Sequence, residues 1–161
     1  GTGAGFPGVP LKIAFPHIEA CLLDSLNKRV KFLEETFALL GLENITAIHG
    51  RAEEFAKNKA YREQYDLCVS RAVSGLATLS EYCLPYVKKG GIFVSYKSGS
   101  VQEEVEAAKR AVEILGGKIR DVQYFELPGE IGRSLVVIEK IKNTPARYPR
   151  KAGTPLREPL A

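Results

Sequence analysis

The residues with the clearest chemical potential lie in a glycine-rich turn and at the end of the apolar run that follows it. Gly3, Gly5 and Gly8 satisfy the spacing G-x-G-x-x-G, and Asp24 follows nineteen residues after Gly5. Glycine lets a ligand approach the backbone closely, and a carboxylate at a strand end can accept hydrogen bonds from both ribose hydroxyls of a nucleoside. The plain alternative is an ordinary tight turn, with Asp24 capping a helix that begins near Ser25. Taken together, the turn and the carboxylate favour a nucleoside-binding site.

Two nucleoside cofactors fit this pattern, a nicotinamide dinucleotide and S-adenosylmethionine. The chain closes with two strand-like runs, 121–127 and 134–141, whose connection is too short for a parallel return. An antiparallel hairpin there favours S-adenosylmethionine, because a nicotinamide-binding fold would continue with parallel strands. Ala52 and Glu53, just past the second predicted strand, lie where an adenine would sit, with their backbone amide and carbonyl available to its edge. Glu53 is equally compatible with a plain surface charge.

Short apolar runs alternate with amphipathic stretches along the rest of the chain. Such runs are typical of buried parallel strands, and apolar residues at helical spacing indicate helices between them. The predicted strands are 18–23, 45–49, 67–70 and 92–96, and the predicted helices are 26–40, 76–86 and 100–115. This alternation predicts an open α/β sheet with helices on both faces. Because a glycine turn takes its position from the strand it leaves, we expect the first, central strand to lie before Gly1, outside this chain.

The composition is that of an ordinary folded domain. The chain has 161 residues and a mass of 17.7 kDa, with 45% hydrophobic and 26% charged residues. No apolar run reaches the ~18 residues that a membrane helix needs. The three cysteines lack CxxC spacing and only two histidines occur, so neither a disulfide framework nor a metal centre is indicated. We predict a cytoplasmic protein without metal or membrane partner, and we expect a monomer.

Basic residues are concentrated at the end of the chain. Positions 140–161 hold six of the 23 lysines and arginines, with Glu158 as the only acid. Four prolines in the same stretch predict an extended conformation. We therefore divide the chain into an α/β domain, 1–141, and a basic, proline-rich tail, 142–161. The tail is either a solvated linker or an arm that tracks RNA phosphates and stacks one aromatic ring on a base. The candidate RNA-binding residues are Arg147, Tyr148, Arg150 and Lys151.

Five segments, in a fixed order along the chain, carry a more specific resemblance. They are GTGAGFPGVPL, LLDSLNKRVKFLEE, HGRAEEF, SRAV and TPARYPRKAGTP. In these segments the chain resembles the bacterial guanine-N7 methyltransferases of small-subunit ribosomal RNA, also called the glucose-inhibited division protein B family. The resemblance covers nearly the whole chain. It implies a class I methyltransferase (Rossmann-like) fold, S-adenosylmethionine as methyl donor, and 16S rRNA in the 530-loop region as substrate. It also implies cofactor contacts by Gly1, Phe6, Asp24, Ser25, Ala52, Glu53 and Arg71.

The residues after the third predicted strand agree with N7 chemistry. Guanine N7 carries an in-plane lone pair, so methyl transfer needs no prior deprotonation and can depend on positioning alone. The segment 70–73 reads SRAV and lacks the Asp/Asn-Pro-Pro-aromatic turn of exocyclic-amine methyltransferases. We therefore assign no catalytic acid or base. Arg71 and Lys97 are candidates to orient the cofactor carboxylate or RNA phosphates, or are simple salt-bridge residues.

Two other functions stay open at this point. One is a nicotinamide-binding oxidoreductase fragment, and the other is an RNA-binding module without activity. If the tail is only a solvated extension, the RNA surface is expected at the basic start of the first long helix, at Lys28, Arg29 and Lys31.

Overall fold

The chain forms two compact units in a computed structural model that describes residues 1–71 and 73–161. The units are Gly1–Ala52 and Glu53–Ala161. The helices are α1 (Gly8–Ala14), α2 (Asn27–Leu39), α3 (Ala52–Phe55), α4 (Leu76–Cys83), α5 (Gln102–Ile114) and α6 (Thr154–Arg157), with a 3₁₀ turn at Leu84–Tyr86. The strands are β1 (Ala20–Asp24), β2 (Ile45–His49), β3 (Tyr65–Arg71), β4 (Val87–Ser98), β5 (Gly117–Leu127) and β6 (Ile131–Lys140). Residues 142–161 group with the second unit, so they are not set apart as a tail.

The first unit packs two helices against two parallel strands. β1 pairs with β2 from Ala20↔Ile45 to Asp24↔His49. The buried positions of α2 follow helical spacing, because residues three and four apart share one helix face. They pack with α1 and the strands in one apolar cluster, which comprises Val9, Leu22, Leu33, Phe37 and Ile45. The prediction that the helix is capped near Ser25 is displaced by one residue, since Leu26 is the N-cap and Asn27 the first helical residue.

The second unit holds a four-stranded sheet in the order β3-β4-β6-β5. β3 and β4 are parallel, whereas β6 runs antiparallel to both β4 and β5. The predicted closing hairpin is therefore confirmed, and its second strand is inserted between β4 and β5. Helices α4 and α5 cover the sheet through a core that includes Leu79, Phe93, Val112 and Ile138.

Membrane-spanning helices and metal-binding clusters are considered for the described residues, 1–71 and 73–161. Within those ranges no helix combines the length and apolar character that a bilayer crossing needs. The same residues contain no group of three or more His, Cys, Asp or Glu side chains placed to hold a metal ion.

Candidate functional site

The glycine turn of the first unit is tied directly to Asp24. The Gly3 amide donates a hydrogen bond to Asp24 Oδ2 over 2.9 Å, and the Thr2 amide donates to the Leu23 carbonyl over 3.1 Å. Residues that the sequence separates by about twenty positions therefore meet at the carboxyl end of β1. This is the juxtaposition on which the sequence argument for a nucleoside site depends.

The two glycines of the turn have different structural roles. Both have positive φ, +60° at Gly3 and +96° at Gly5, a region that L side chains rarely adopt. A Cβ at Gly5 would lie 2.6 Å from Val9 Cγ2 and 2.9 Å from Leu33 Cδ2, so packing requires glycine there. A Cβ at Gly3 would meet nothing within 4 Å. The space beside Gly3 therefore suits the close approach of a ligand to the backbone.

The Asp24 carboxylate is buried and already engaged. Its side chain is 1% exposed, and besides Gly3 it accepts the Leu26 amide at Oδ1 over 3.0 Å. Arg29 Nη1 lies 3.5 Å from Oδ2. Burial acts to raise the pKa of Asp24, but the two amides, the positive charge of the amino terminus and Arg29 together hold the pKa below its ordinary value. The carboxylate therefore stays ionised at neutral pH.

Asp24 has the helix-capping role that the sequence offered as the plain alternative, and its role toward a nucleoside stays a prediction. Its bond to the Leu26 amide supports the start of α2, and its bond to Gly3 shapes the glycine turn. An ionised carboxylate offers about four acceptor positions, and two amides and one guanidinium use three of them. About one acceptor position of the carboxylate therefore remains for a further donor, such as a hydroxyl group.

The neighbouring predicted residues lie at the ends of the same two strands. Ser25 is exposed directly after β1, and its carbonyl accepts a hydrogen bond from His49 Nε2 over 3.1 Å. Phe6 is 47% exposed at the glycine turn. Ala52 begins α3, three residues after β2 ends at His49. Ser25 and Ala52 therefore lie shortly after the ends of β1 and β2, whereas Phe6 lies in the glycine turn.

Of the two interpretations offered for Glu53, the plain surface charge is wrong. Glu53 is only 4% exposed, and its Oε1 accepts the Gly153 amide over 2.9 Å. The carboxylate cannot face an adenine while this bond exists. What remains for a cofactor at this position is the backbone of Ala52 and Glu53.

Arg71 and Lys97 lie at the ends of two neighbouring strands of the second unit, β3 and β4. Arg71 is the exposed last residue of β3, and Ala72 of the SRAV segment lies outside the described residues. Lys97 Nζ donates to Glu104 Oε1 over 2.7 Å and to the Ser74 carbonyl over 2.8 Å. This arrangement agrees with the second interpretation offered for Lys97, a simple salt-bridge residue.

The C-terminal residues are folded onto the second unit, so the prediction of an extended tail is wrong. Tyr148 is 6% exposed and belongs to the main apolar cluster. Its ring therefore cannot stack on an RNA base in this arrangement. Arg147 lies over the same ring, with its guanidinium carbon 4.9 Å from the ring centroid. The prolines of this segment prevent a long helix, but they do not prevent packing, because its backbone groups form hydrogen bonds with side chains of the second unit.

Arg150 is also engaged within the protein rather than available to a phosphate. Its guanidinium donates to both carboxylate oxygens of Glu81, over 3.0 Å and 3.1 Å from Nε and 2.7 Å from Nη2. Glu81 is fully buried in α4. The sequence does contain a signal for this ion pair. Glu81 lies between the apolar residues Leu79 and Cys83 of a predicted helix, and a carboxylate buried there requires a positively charged or hydrogen-bonding partner. Of the four predicted RNA-binding residues, Arg147 and Lys151 remain exposed.

A basic groove lies beside the glycine turn in the first unit. It has a volume of about 910 Å³ and is lined by Gly3, Ala4, Asn27, Lys28, Arg29, Lys31, Phe32 and Glu35. The three cations are exposed, and Phe32 among them is 52% exposed. Cations at the start of a helix oppose its dipole, so helix stability does not account for their position.

Solved structures establish the class of protein to which this fold belongs. A variant of the 16S rRNA (adenine(1408)-N(1))-methyltransferase from Catenulisporales acidiphilia matches with a TM-score of 0.72 and 14% identity, over 94% of this chain and 84% of that chain. M. jannaschii TYW2 in complex with AdoMet matches with a TM-score of 0.66 and 15% identity, over 87% and 66%. The chain has the fold of the class I S-adenosylmethionine-dependent methyltransferases, as predicted.

Sequence relatives then identify the family. The model of the family described as GidB, rRNA small subunit methyltransferase G, matches residues 1–135. Proteins named ribosomal RNA small subunit methyltransferase G are similar to 99% of this chain, at 56% identity in Lachnoclostridium phytofermentans and 52% in Bacillus subtilis. The chain belongs to the rRNA small subunit methyltransferase G family, which confirms the resemblance. It spans 66% and 67% of the length of these two relatives.

Proposed function

We propose that this chain forms the methyltransferase part of an enzyme that transfers a methyl group from S-adenosylmethionine to N7 of a guanine in 16S rRNA. The proposed target is the 530-loop region, and the proposed setting is the cytoplasm, with the enzyme acting as a monomer. The observation that carries the proposal is family membership, which joins a methyltransferase fold to ribosomal RNA. The same membership favours S-adenosylmethionine over a nicotinamide dinucleotide.

Each unit supplies residues that we assign to the cofactor. In the first unit the assigned residues are Gly1, Gly3, Gly5, Phe6, Asp24, Ser25 and Ala52. In the second unit they are Glu53, through its backbone, and Arg71. The ionised Asp24 carboxylate would accept the ribose hydroxyls, while Gly3 leaves room for the ligand beside the backbone. When bound, S-adenosylmethionine supplies an electrophilic methyl group on a positively charged sulfur.

The reaction makes few demands on the side chains of this chain. Guanine N7 attacks with a lone pair that is already free, so no residue has to remove a proton before methyl transfer. The residues therefore act by binding and orienting, which can account for a large part of a rate enhancement. The sequence SRAV at 70–73 is consistent with this, since it offers no acceptor for an exocyclic amine. We assign no general acid or base.

For the RNA we propose phosphate contacts by exposed cations only. In the first unit these are Lys28, Arg29 and Lys31, which surround the half-exposed Phe32 in the basic groove. A phosphate near the start of α2 would interact favourably with the helix dipole, and no acid of the first turn would repel it. In the second unit Arg147 and Lys151 are exposed and remain candidates.

Methyl transfer to ribosomal particles tests the proposal. The full-length protein that contains this chain should transfer the labelled methyl group of S-adenosylmethionine to small ribosomal subunits purified from cells that lack this methylation. A calorimetric titration should show binding of S-adenosylmethionine and none of NAD. Binding of RNA without any methyl transfer would instead support a module without activity, and binding of NAD would support the oxidoreductase alternative.

A further inference from the structure

Three carboxylates of the second unit each accept a main-chain amide from the C-terminal segment. The Thr144 amide donates to Glu63 Oε1 over 2.8 Å, and the Arg150 amide donates to Glu81 Oε1 over 2.7 Å. The third pair is Gly153 with Glu53, over 2.9 Å. We call residues 144–157 the C-terminal strap. A carboxylate in a buried site is costly unless donors satisfy it, so the strap completes the electrostatics of these sites.

Other contacts fasten the strap at intervals along its length. The Arg62 guanidinium donates to the carbonyls of Thr144 over 2.7 Å and Tyr148 over 2.9 Å. Further along, Thr78 Oγ1 donates to the carbonyl of Pro155 over 3.0 Å. The backbone groups of this proline-rich segment therefore find partners in the second unit instead of in water. The strap has a fixed course, which a solvated extension would lack.

The Glu53 contact is the one that involves a residue proposed to bind the cofactor. Glu53 is the second residue of α3, a helix of only four residues, which has little stability of its own. Its carboxylate is held by a strap residue with φ of +82°, a conformation suited to glycine. The position of the Ala52–Glu53 backbone therefore depends on a contact made a hundred residues later in the chain.

We propose that Glu53 is a positioning residue, through which the C-terminal strap holds the backbone of α3 in the conformation that receives the adenine of S-adenosylmethionine. The inference rests on the proposed function, because it concerns the same cofactor. Glu53 acts through its own backbone and not by contact between its carboxylate and the ligand. The strap is thereby a determinant of cofactor affinity, although the sequence presents it as an RNA-binding arm.

The test compares Glu53→Ala with Glu54→Ala, a matched change at the exposed neighbour. Both are made in the full-length protein. Cofactor affinity is measured by calorimetry, and hydrogen exchange of a peptide covering residues 52–57 is measured without cofactor. Glu53→Ala should raise the dissociation constant for S-adenosylmethionine about tenfold and accelerate hydrogen exchange in this peptide. Glu53→Gln keeps an acceptor oxygen for the Gly153 amide, so this variant should retain most of the cofactor affinity and most of the protection from exchange. Glu54→Ala should change neither.

A second variant acts from the strap side and leaves Glu53 intact. Gly153→Ala meets no neighbouring atom within 4 Å, so its only expected effect is strain at positive φ. It should raise the dissociation constant and the local exchange rate in the same direction as Glu53→Ala, by a smaller factor. Faster exchange with unchanged affinity would overturn the proposal, and so would weaker affinity with unchanged exchange, which would indicate direct contact by the carboxylate. A wild-type protein that binds no S-adenosylmethionine would refute the proposed function itself.

Discussion

The ion pair between Arg150 and Glu81 gives the sharpest stability prediction. Glu81 is completely buried and the Arg150 side chain is 24% exposed, with their closest atoms 2.7 Å apart. Removing one partner of a buried pair costs ~3–5 kcal/mol, because the other charge is left without compensation. The backbone amide of residue 150 would still donate to Glu81, and the guanidinium is partly hydrated. We therefore expect Arg150→Ala to lower the free energy of unfolding by about 3 kcal/mol, at the lower end of that range.

Thermal and urea denaturation measure this cost. For a chain of this size ~3 kcal/mol corresponds to a fall in Tm of roughly 6–12 °C. Lys151→Ala is the control, because it removes an exposed neighbouring cation and should alter stability by less than ~0.5 kcal/mol. The double variant Arg150→Ala with Glu81→Gln should be less destabilised than the sum of the two single changes, since the unpaired charge is gone. If Arg150→Ala and Lys151→Ala behave alike, the ion pair is absent in solution and the strap is a free basic extension.

Three further predictions follow from the first unit. Gly5→Ala should destabilise the fold, because its Cβ would clash with the core. Gly3→Ala should weaken S-adenosylmethionine binding more than it lowers Tm. If both variants lose cofactor affinity and thermal stability to the same extent, the whole turn is structural. The pKa of Asp24 in the folded protein lies below its ordinary value of 3.8. The ionised carboxylate therefore stabilises the fold fully above pH 3.8, and this stabilisation is lost as the pH falls through the pKa of the folded state. Acid unfolding should therefore be less steep below about pH 4 in Asp24→Asn than in wild type, and identical profiles would contradict the assigned hydrogen bonds. Replacing Lys28 and Lys31 together by Gln should flatten the dependence of log RNA affinity on log salt by ~0.7 per contact, with unchanged cofactor affinity; an unaltered slope would remove the groove from the RNA surface.

The sequence is most informative where local pattern and short-range chemistry decide the structure. The period of Val30, Leu33 and Phe37 indicates α2, because buried helix positions recur every three to four residues. The short connection between β5 and β6 permits only a hairpin. The spacing of Gly3 and Asp24 likewise places them together, since both follow from a turn and a strand end that the apolar pattern locates.

The sequence is least informative where contacts join distant positions. Composition shows that the C-terminal residues are basic and rich in proline, but not that Arg150 pairs with a residue 69 positions earlier. Glu53 is similar, because a carboxylate in a short surface-like stretch gives no sign that Gly153 will cover it. Burial decides both cases, and burial depends on the assembled core. Fewer cations of this segment are therefore exposed to a phosphate than its composition suggests.

The most direct test of the central claim is a nucleoside analysis of 16S rRNA. Small ribosomal subunits from cells lacking this methylation are incubated with S-adenosylmethionine and the full-length protein, and the extracted 16S rRNA is digested and analysed by mass spectrometry. The proposed function predicts 7-methylguanosine at one position in the 530-loop region, dependent on S-adenosylmethionine and strongly reduced in the Asp24→Asn variant. Methylation of a different base, or of a guanine atom other than N7, would contradict it, as would unmodified rRNA in the presence of a folded protein that binds S-adenosylmethionine.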